Sequence, residues 1–179
     1  PTITSVSVPN GNYSAALSAT INFTVGFSES VTVSGTPRLA LTIGTSTEYA
    51  NFVNLTDSRT AIFRYTVIID YNDVDIDGIS VNSPLQLNSG AVADLATNAI
   101  SSLTFTSPVT TSVNVYQPPN APVIDSITAN NTSLTVYFTS GANNGSVVSN
   151  YKYSLNGGAY VALSPTDATS PISITGLTN

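Results

Sequence analysis

The stretch ATINFTVGF, residues 19–27, decides the fold of this chain. Apolar side chains occupy every second position from Ile21 to Phe27, and polar or small residues stand between them. Successive side chains of a β-strand point to opposite faces of the sheet, so this two-residue period predicts a strand with one buried and one solvated face. The same alternation recurs at residues 39–43 and 63–69, whereas helical periodicity is almost absent.

Turn-forming sequences separate these predicted strands. Residues 9–12 (PNGN), 34–37 (SGTP) and 88–90 (NSG) combine residue types that favour tight turns. Short strands with a turn about every ten residues are typical of antiparallel sandwiches. The sequence therefore predicts an all-β chain in which the apolar faces of two sheets close on each other.

A proline-rich segment divides the chain. Residues 116–122 read YQPPNAP, with three prolines in the last five positions. Proline fixes φ and lacks a backbone N–H, so it favours a stiff, extended connector over a strand interior. Alternation restarts beyond it, at residues 134–138, 151–155 and 172–174. We therefore predict two tandem β-sandwiches, residues 1–115 and 123–179, joined by a linker at residues 116–122.

The surface chemistry excludes one class of partner. Only 8% of the 179 residues are charged, against about 25% in an average soluble domain, and Ser, Thr and Asn take their place. The formal net charge of −6 argues against nucleic acid, whose phosphates would be repelled. We also expect no membrane insertion in this segment, because it has no apolar run of about 20 residues.

Cysteine, histidine, methionine and tryptophan are all absent from the chain. Without cysteine there is nothing to oxidise, which suits an extracellular setting. The chain starts at Pro1 with no initiator methionine and no signal segment, so we expect it to be part of a longer polypeptide.

The same absences argue against catalysis. A zinc site or a serine nucleophile activated by histidine lacks its usual residues. Lys152 is the only lysine, and its place on a predicted strand between tyrosines points it toward solvent. Two carboxylates about 5–9.5 Å apart can hydrolyse a glycoside, but there is no cleft signature and no Trp to hold a sugar ring. We predict that the chain is not an enzyme.

The second half resembles a fibronectin type III domain of the kind found in long bacterial, phage or viral surface proteins. The resemblance lies in residues 119–122 (PNAP), 133–136 (SLTV), 150–158 (NYKYSLNGG) and 170–179 (SPISITGLTN). Domains of this family continue into two more strands, so the resemblance implies a sandwich that lacks its last two strands. We favour continuation of the native polypeptide; strand donation by another chain is the alternative.

The first half resembles the immunoglobulin-like repeat of giant bacterial adhesins. The matching segments are residues 31–43 (VTVSGTPRLALTI), 63–67 (FRYTV), 73–79 (DVDIDGI) and 87–99 (LNSGAVADLATNA). That repeat usually has glycine before the asparagine, where this chain has Thr97. A residue with a Cβ takes positive φ less readily, so the geometry of this turn is left open.

Four of the ten acidic residues lie within residues 70–78, DYNDVDIDG. Alternating oxygens followed by a glycine are typical of the first half of a calcium loop. An EF-hand is excluded, because the twelfth position counted from Asp73 is Pro84 rather than a bidentate Glu. We predict a different kind of calcium site, and the alternative is a hydrated acidic loop. The candidate ligands are Asp70, Asn72, Asp73, Asp75 and Asp77.

Two classes of function remain. The first is a non-catalytic spacer in an extracellular adhesin, fibre or stalk on a cell or virion surface, with neighbouring domains of the same polypeptide as partners and calcium stiffening a loop. The second is a module that binds a glycan or protein directly, with Tyr13, Tyr49, Tyr71 or Tyr160 as candidate contacts. A filament subunit completed by strand donation is a further alternative.

Overall fold

The computed structural model describes residues 1–178. They divide after Gln117 into two compact units, named here unit 1 (residues 1–117) and unit 2 (residues 118–178). Both units are built from β-strands, and the only helical segments in the described residues are the short 3₁₀ helices Ala15–Leu17 and Tyr71–Asp73. The predicted all-β, sandwich-like class is confirmed. No helix within these residues has the length and apolar character needed to cross a membrane.

Unit 1 is organised around one antiparallel sheet. Its strands are β1 Ile3–Ser7, β2 Gly11–Ser14, β3 Thr20–Phe27, β4 Val31–Ser34, β5 Arg38–Ile43, β6 Ser46–Asp57, β7 Thr60–Thr66, β8 Ser80–Gln86, β9 Ala91–Asp94 and β10 Val113–Tyr116. Six of them form a sheet in the order β1-β3-β7-β6-β5-β8. The pairs β4–β9 and β2–β10 complete the unit.

The alternation in β3 produces the core as predicted. Ile21, Phe23 and Val25 are fully buried. The register sets Phe23 opposite Phe63 of β7, and that side chain is buried too. Val92 of β9 and Val115 of β10 belong to the same cluster, so the sheet and the two smaller pairs share one core.

One strand pair departs from the antiparallel pattern. β2 and β10 run parallel, with Gly11 opposite Val113 and Ser14 opposite Tyr116. Parallel neighbours cannot be joined by a tight hairpin. In the sequence, β2 lies near the beginning of unit 1 and β10 at its end. No local sequence signal predicts such a pairing. Tyr116, which the sequence assigned to the linker, ends β10, and Gln117 is buried in unit 1.

Unit 2 has a smaller core between two sheets. Its strands are β11 Val123–Asn130, β12 Ser133–Thr139, β13 Lys152–Tyr153, β14 Val161–Ala162 and β15 Ile172–Thr175. β11, β12 and β15 form one sheet, and β13 and β14 form the other. Phe138 and Tyr151 meet edge to face with ring centroids 4.8 Å apart. The immunoglobulin-like and fibronectin type III identities of the two units stay predictions.

The turn after β9 resolves the question that the sequence left open. Thr97 adopts the left-handed conformation, with φ of 66°. The Asp94 carboxylate holds the turn by accepting hydrogen bonds from the backbone N–H groups of Ala96 and Asn98 and from the Asn98 side chain. These bonds, the Asn98 side-chain bond first, lower the pKa of Asp94. The turn therefore forms despite the Cβ of Thr97, which is strained there.

We expect Thr97→Gly to raise the free energy of unfolding of unit 1 by about 0.5–1 kcal/mol, because relief of left-handed strain exceeds the added freedom of the unfolded chain. Urea denaturation measures the change. Thr24→Gly, in the interior of β3, is the control and should destabilise unit 1. A Thr97→Gly protein less stable than the parent would contradict this explanation of the turn.

Candidate functional site

The five predicted calcium ligands lie on a segment that follows β7 and leads into β8, but they do not face one point. Asp70 caps the 3₁₀ helix Tyr71–Asp73, and its Oδ1 accepts hydrogen bonds from the Asn72 backbone N–H (2.9 Å) and side-chain Nδ2 (3.0 Å). Asn72 and Asp77 are exposed to solvent. Asp73 and Asp75 instead make contacts inside unit 1, and each does so differently.

Asp75 ties its segment to the turn between β5 and β6. Its Oδ2 accepts a hydrogen bond from the Gly44 N–H (3.0 Å), and its Oδ1 accepts one from the Gly78 N–H (2.9 Å). The two chain segments are so close that a Cβ on Gly44 would lie 2.3 Å from the carbonyl oxygen of Asn72. Both carboxylate oxygens of Asp75 thus have a structural role.

Asp73 is the unusual residue of the segment, because its side chain is 0% exposed. The Tyr65 hydroxyl donates a hydrogen bond of 2.9 Å to its Oδ2. Its Oδ1 is buried and has no hydrogen-bond partner. Buried polar atoms are nearly always paired, and a carboxylate oxygen without a partner loses its hydration with no compensation.

Two further carboxylates, those of Glu48 and Asp70, interact electrostatically with the Asp73 and Tyr65 pair. Burial, followed by the charges of Asp73 and Asp70, raises the pKa of Glu48. Burial, followed by the Asp73 hydrogen bond and the charges of Asp73, Glu48 and Asp70, raises the pKa of Tyr65. We call Glu48, Asp70 and Asp73, with the Tyr65 hydroxyl, the acidic cluster.

The sequence pattern did not identify Glu48, which lies on β6, far in the sequence from Asp70 and Asp73. Its cross-strand partner is the fully buried Leu41 of β5. Directly opposed residues project from the same face of a sheet, so Glu48 stands on the core face. A signal was present: Glu48 is in phase with the buried Ala50, and an acid in phase with core residues is unexpected.

Within residues 1–178, no three acidic side chains are close enough as placed to hold one metal ion together. The charges of Asp73 and Asp70 act on Glu48, Asp77 is exposed to solvent, and Asp75 accepts hydrogen bonds from backbone N–H groups. Calcium binding by the five predicted residues stays a prediction.

The acidic segment also holds β10. Asp75 exchanges two backbone hydrogen bonds with Val115, and the Ile79 N–H donates to the Val113 carbonyl at 3.1 Å. On its other side β10 pairs with β2. There the Asn12 Oδ1 accepts hydrogen bonds from the Asn114 Nδ2 (3.1 Å) and the Tyr116 hydroxyl (3.3 Å). The last strand of unit 1 is therefore bound along both edges.

Unit 2 carries a different candidate site, an open apolar groove of roughly 450 Å³. We call it the unit 2 groove; among its lining residues are Ile124, Ile127, Val136, Tyr153, Tyr160 and Ile174. Several of these are exposed, Tyr160 to 75%. Within residues 118–178, no strand pairs with the second edge of β13. Exposed apolar surface beside an unpaired strand edge is typical of association sites.

The tyrosines proposed for direct ligand binding do not form an aromatic cluster. The described ring contacts are Phe52 with Phe63 and Phe138 with Tyr151. Tyr49 lies under the Arg38 guanidinium, 3.6 Å from ring centroid to Cζ, and Tyr13 donates its hydroxyl hydrogen to the Pro9 carbonyl. Lys152 is exposed on β13, as its position in the sequence indicated.

Comparison with known proteins assigns no family to the chain, since neither a protein-family model nor a curated protein matches it.

The contrast between Asp75 and Asp77 is directly testable. Asp75→Ala removes the acceptor of two backbone N–H groups, so we expect it to lower the free energy of unfolding of unit 1 by about 1–2 kcal/mol. Asp77→Ala removes an exposed charge and should change it by less than about 0.5 kcal/mol. Urea midpoints measured with a chelator present compare the two variants, and equal losses would refute the structural role of Asp75.

Proposed function

We propose that this chain is a non-catalytic structural spacer that carries tension in a large extracellular adhesin, fibre or stalk. The observation that carries the proposal is the parallel pairing of β2 with β10. β2 is the second strand of unit 1, after β1, and β10 is its last strand. Neighbouring domains of the same polypeptide would be the partners.

The pairing matters because of the direction in which force acts. Tension reaches β2 from its amino-terminal side, through β1, which pairs antiparallel with β3, and it reaches β10 from its carboxyl-terminal side. Since the strands are parallel, these forces pull them past each other along their length, and all the hydrogen bonds between them resist together. In a hairpin pulled at its two open ends, the bonds would break one after another. The parallel pair thus supports a mechanical role for unit 1.

Neighbouring contacts reinforce the pair. Asn12 joins the side chains of Asn114 and Tyr116, and the Gly11 N–H donates to the Ser112 carbonyl at 2.8 Å. Val113 and Val115 are fully buried, so sliding of β10 would also expose core surface. The hydroxyl-rich composition without cysteine supports the extracellular setting.

Force spectroscopy on a matched pair of variants tests the proposal. Asn12→Ala removes the side-chain bonds across β2 and β10; Asn82→Ala removes one bond of 2.9 Å from its Nδ2 to Thr42 across β8 and β5. Each should cost about 0.5–1.5 kcal/mol at equilibrium. We expect Asn12→Ala alone to lower the unfolding force of unit 1, because forced unfolding follows the unfolding rate. Equal forces for both variants would refute the mechanical role.

The unit 2 groove favours a second candidate function. We propose that a β-strand from a second copy of this chain adds to the free edge of β13 and covers the groove, as in a filament subunit. Unit 2 contains only Asp125, Lys152 and Asp167 as charged side chains, one cation against two anions and hence a formal charge of −1. Two copies therefore meet little electrostatic repulsion there.

Sedimentation across a concentration series tests this association. The parent chain should self-associate as its concentration rises, and replacing both Ile127 and Tyr160 with Ser should abolish the association, since both line the groove. Val109→Ser is the control, because Val109 is equally apolar and exposed but lies in unit 1. A parent chain that stays monomeric would refute this candidate and leave the spacer proposal intact.

A further inference from the structure

We propose that the acidic cluster of unit 1 binds a hard divalent cation, best matched by Ca²⁺, with Asp73 Oδ1 as the anchoring ligand and Asp70 and Glu48 as further carboxylate ligands. This set differs from the one that the spacing of the acids predicted. It adds Glu48 and omits Asp75 and Asp77. The inference concerns binding alone and does not depend on the mechanical role of unit 1.

The buried carboxylate of Asp73 lacks part of its expected hydrogen bonding. Its side chain is 0% exposed, yet Oδ1 has no hydrogen-bond partner. Tyr65 serves only the other oxygen, Oδ2. A cation at Oδ1 would replace the hydration that the carboxylate loses on folding.

The charge at the proposed site is unbalanced. Its three side chains, Glu48, Asp70 and Asp73, are all acidic. Unit 1 contains eight acidic side chains and three arginines, a formal charge of −5. The arginines have other partners: Arg38 binds Gln86 and stacks on Tyr49, Arg64 binds Asn22, and the charge of Arg59 acts on Asp57. Carboxylates gathered without a counter-charge repel one another, and a divalent cation would offset that repulsion.

The side-chain donors of the acidic cluster are all oxygen atoms. Carboxylate and hydroxyl oxygens are the only side-chain donors in the cluster, and oxygen-only sites suit Ca²⁺ and Mg²⁺ rather than softer metals. Calcium accepts 6–8 oxygens in irregular geometry, whereas magnesium demands a near-ideal octahedron. The three carboxylates do not converge as placed, so binding requires Glu48 to turn toward Asp73. Glu48 has the longest side chain of the three, and that side chain is partly exposed. Water completes the shell.

Asp75 and Asp77 are omitted for specific reasons. Both oxygens of Asp75 accept backbone N–H groups, from Gly44 and Gly78, and ligating an ion would compete with those bonds. Asp77 is exposed to solvent, which hydrates its charge without an ion. Asp77→Asn therefore removes the same charge as Asp73→Asn and serves as the matched control.

Thermal unfolding of the whole chain, with Ca²⁺ and then with a chelator, tests the site. Ca²⁺ should raise the midpoint of unit 1 by about 5 °C or more at saturation, because a ligand that binds only the native state stabilises it. Asp73→Asn and Glu48→Gln should abolish the rise, and Asp77→Asn should keep it. An unchanged parent midpoint, or loss of the rise in Asp77→Asn with retention in Glu48→Gln, would overturn the proposal.

Terbium luminescence gives a second measurement that does not depend on the folding of Asp73→Asn. Tb³⁺ occupies oxygen sites like those of Ca²⁺ and is sensitised by a nearby aromatic ring, and the chain has no tryptophan to compete with tyrosine. Excitation of tyrosine should produce Tb³⁺ emission that Ca²⁺ displaces. Tyr65→Phe should lose most of the emission, and Tyr71→Phe, which alters an exposed ring, should keep it. Emission that is absent, or that depends on Tyr71 instead, would overturn the assignment.

Discussion

The structure of unit 1 depends on how β10 is held. Without this strand the core would lack Val113 and Val115, both of which are fully buried. β10 is bound by β2 on one edge and by Asp75 and Ile79 on the other. Pairing β10 with β2 closes a loop that contains most of unit 1, and this closure costs conformational entropy. The contacts along both edges of β10 and the burial of the two valines together offset that cost. The acidic segment is thus first a structural element.

The same segment contains an arrangement that opposes folding. Asp73 lies in the core with one oxygen hydrogen-bonded to Tyr65 and the other without a partner, and Glu48 adds a second carboxylate to the core face of the sheet. An apolar side chain of similar volume at position 73 would fill the space without a charge to desolvate. The large apolar core of unit 1 offsets this cost, and a cation bound at Asp73 would reduce it.

The strand and buried face at residues 19–27 follow from alternation, because the two-residue period is a local property of the chain. The period is less reliable at residues 63–69, where β7 ends at Thr66 and Ile69 is exposed. The fates of the acids do not follow from local sequence. The four aspartates of this segment have the same side chain and lie within eight residues of one another. Nevertheless, Asp70 caps a 3₁₀ helix, Asp73 is buried, Asp75 accepts two backbone N–H groups and Asp77 is exposed. The Asp70 cap is a local contact with Asn72, whereas the bonds of Asp73 and Asp75 depend on Tyr65 and Gly44, which reach the segment only through tertiary folding. The parallel pairing of β2 with β10 is hidden for the same reason.

The proposed cation site lies on the segment that holds β10, the strand proposed to bear tension. A bound ion slows unfolding only if the contacts it strengthens are lost in the transition state. The Asp70 N–H donates to the buried Gln117 side chain just beyond β10, and Asp75 is bridged to Val115. When β10 slides, these bonds must break, and the segment that positions Asp70 and Asp73 loses its support. An ion in the acidic cluster would therefore oppose the movement that tension drives, so the chemical environment would set the mechanical strength of unit 1.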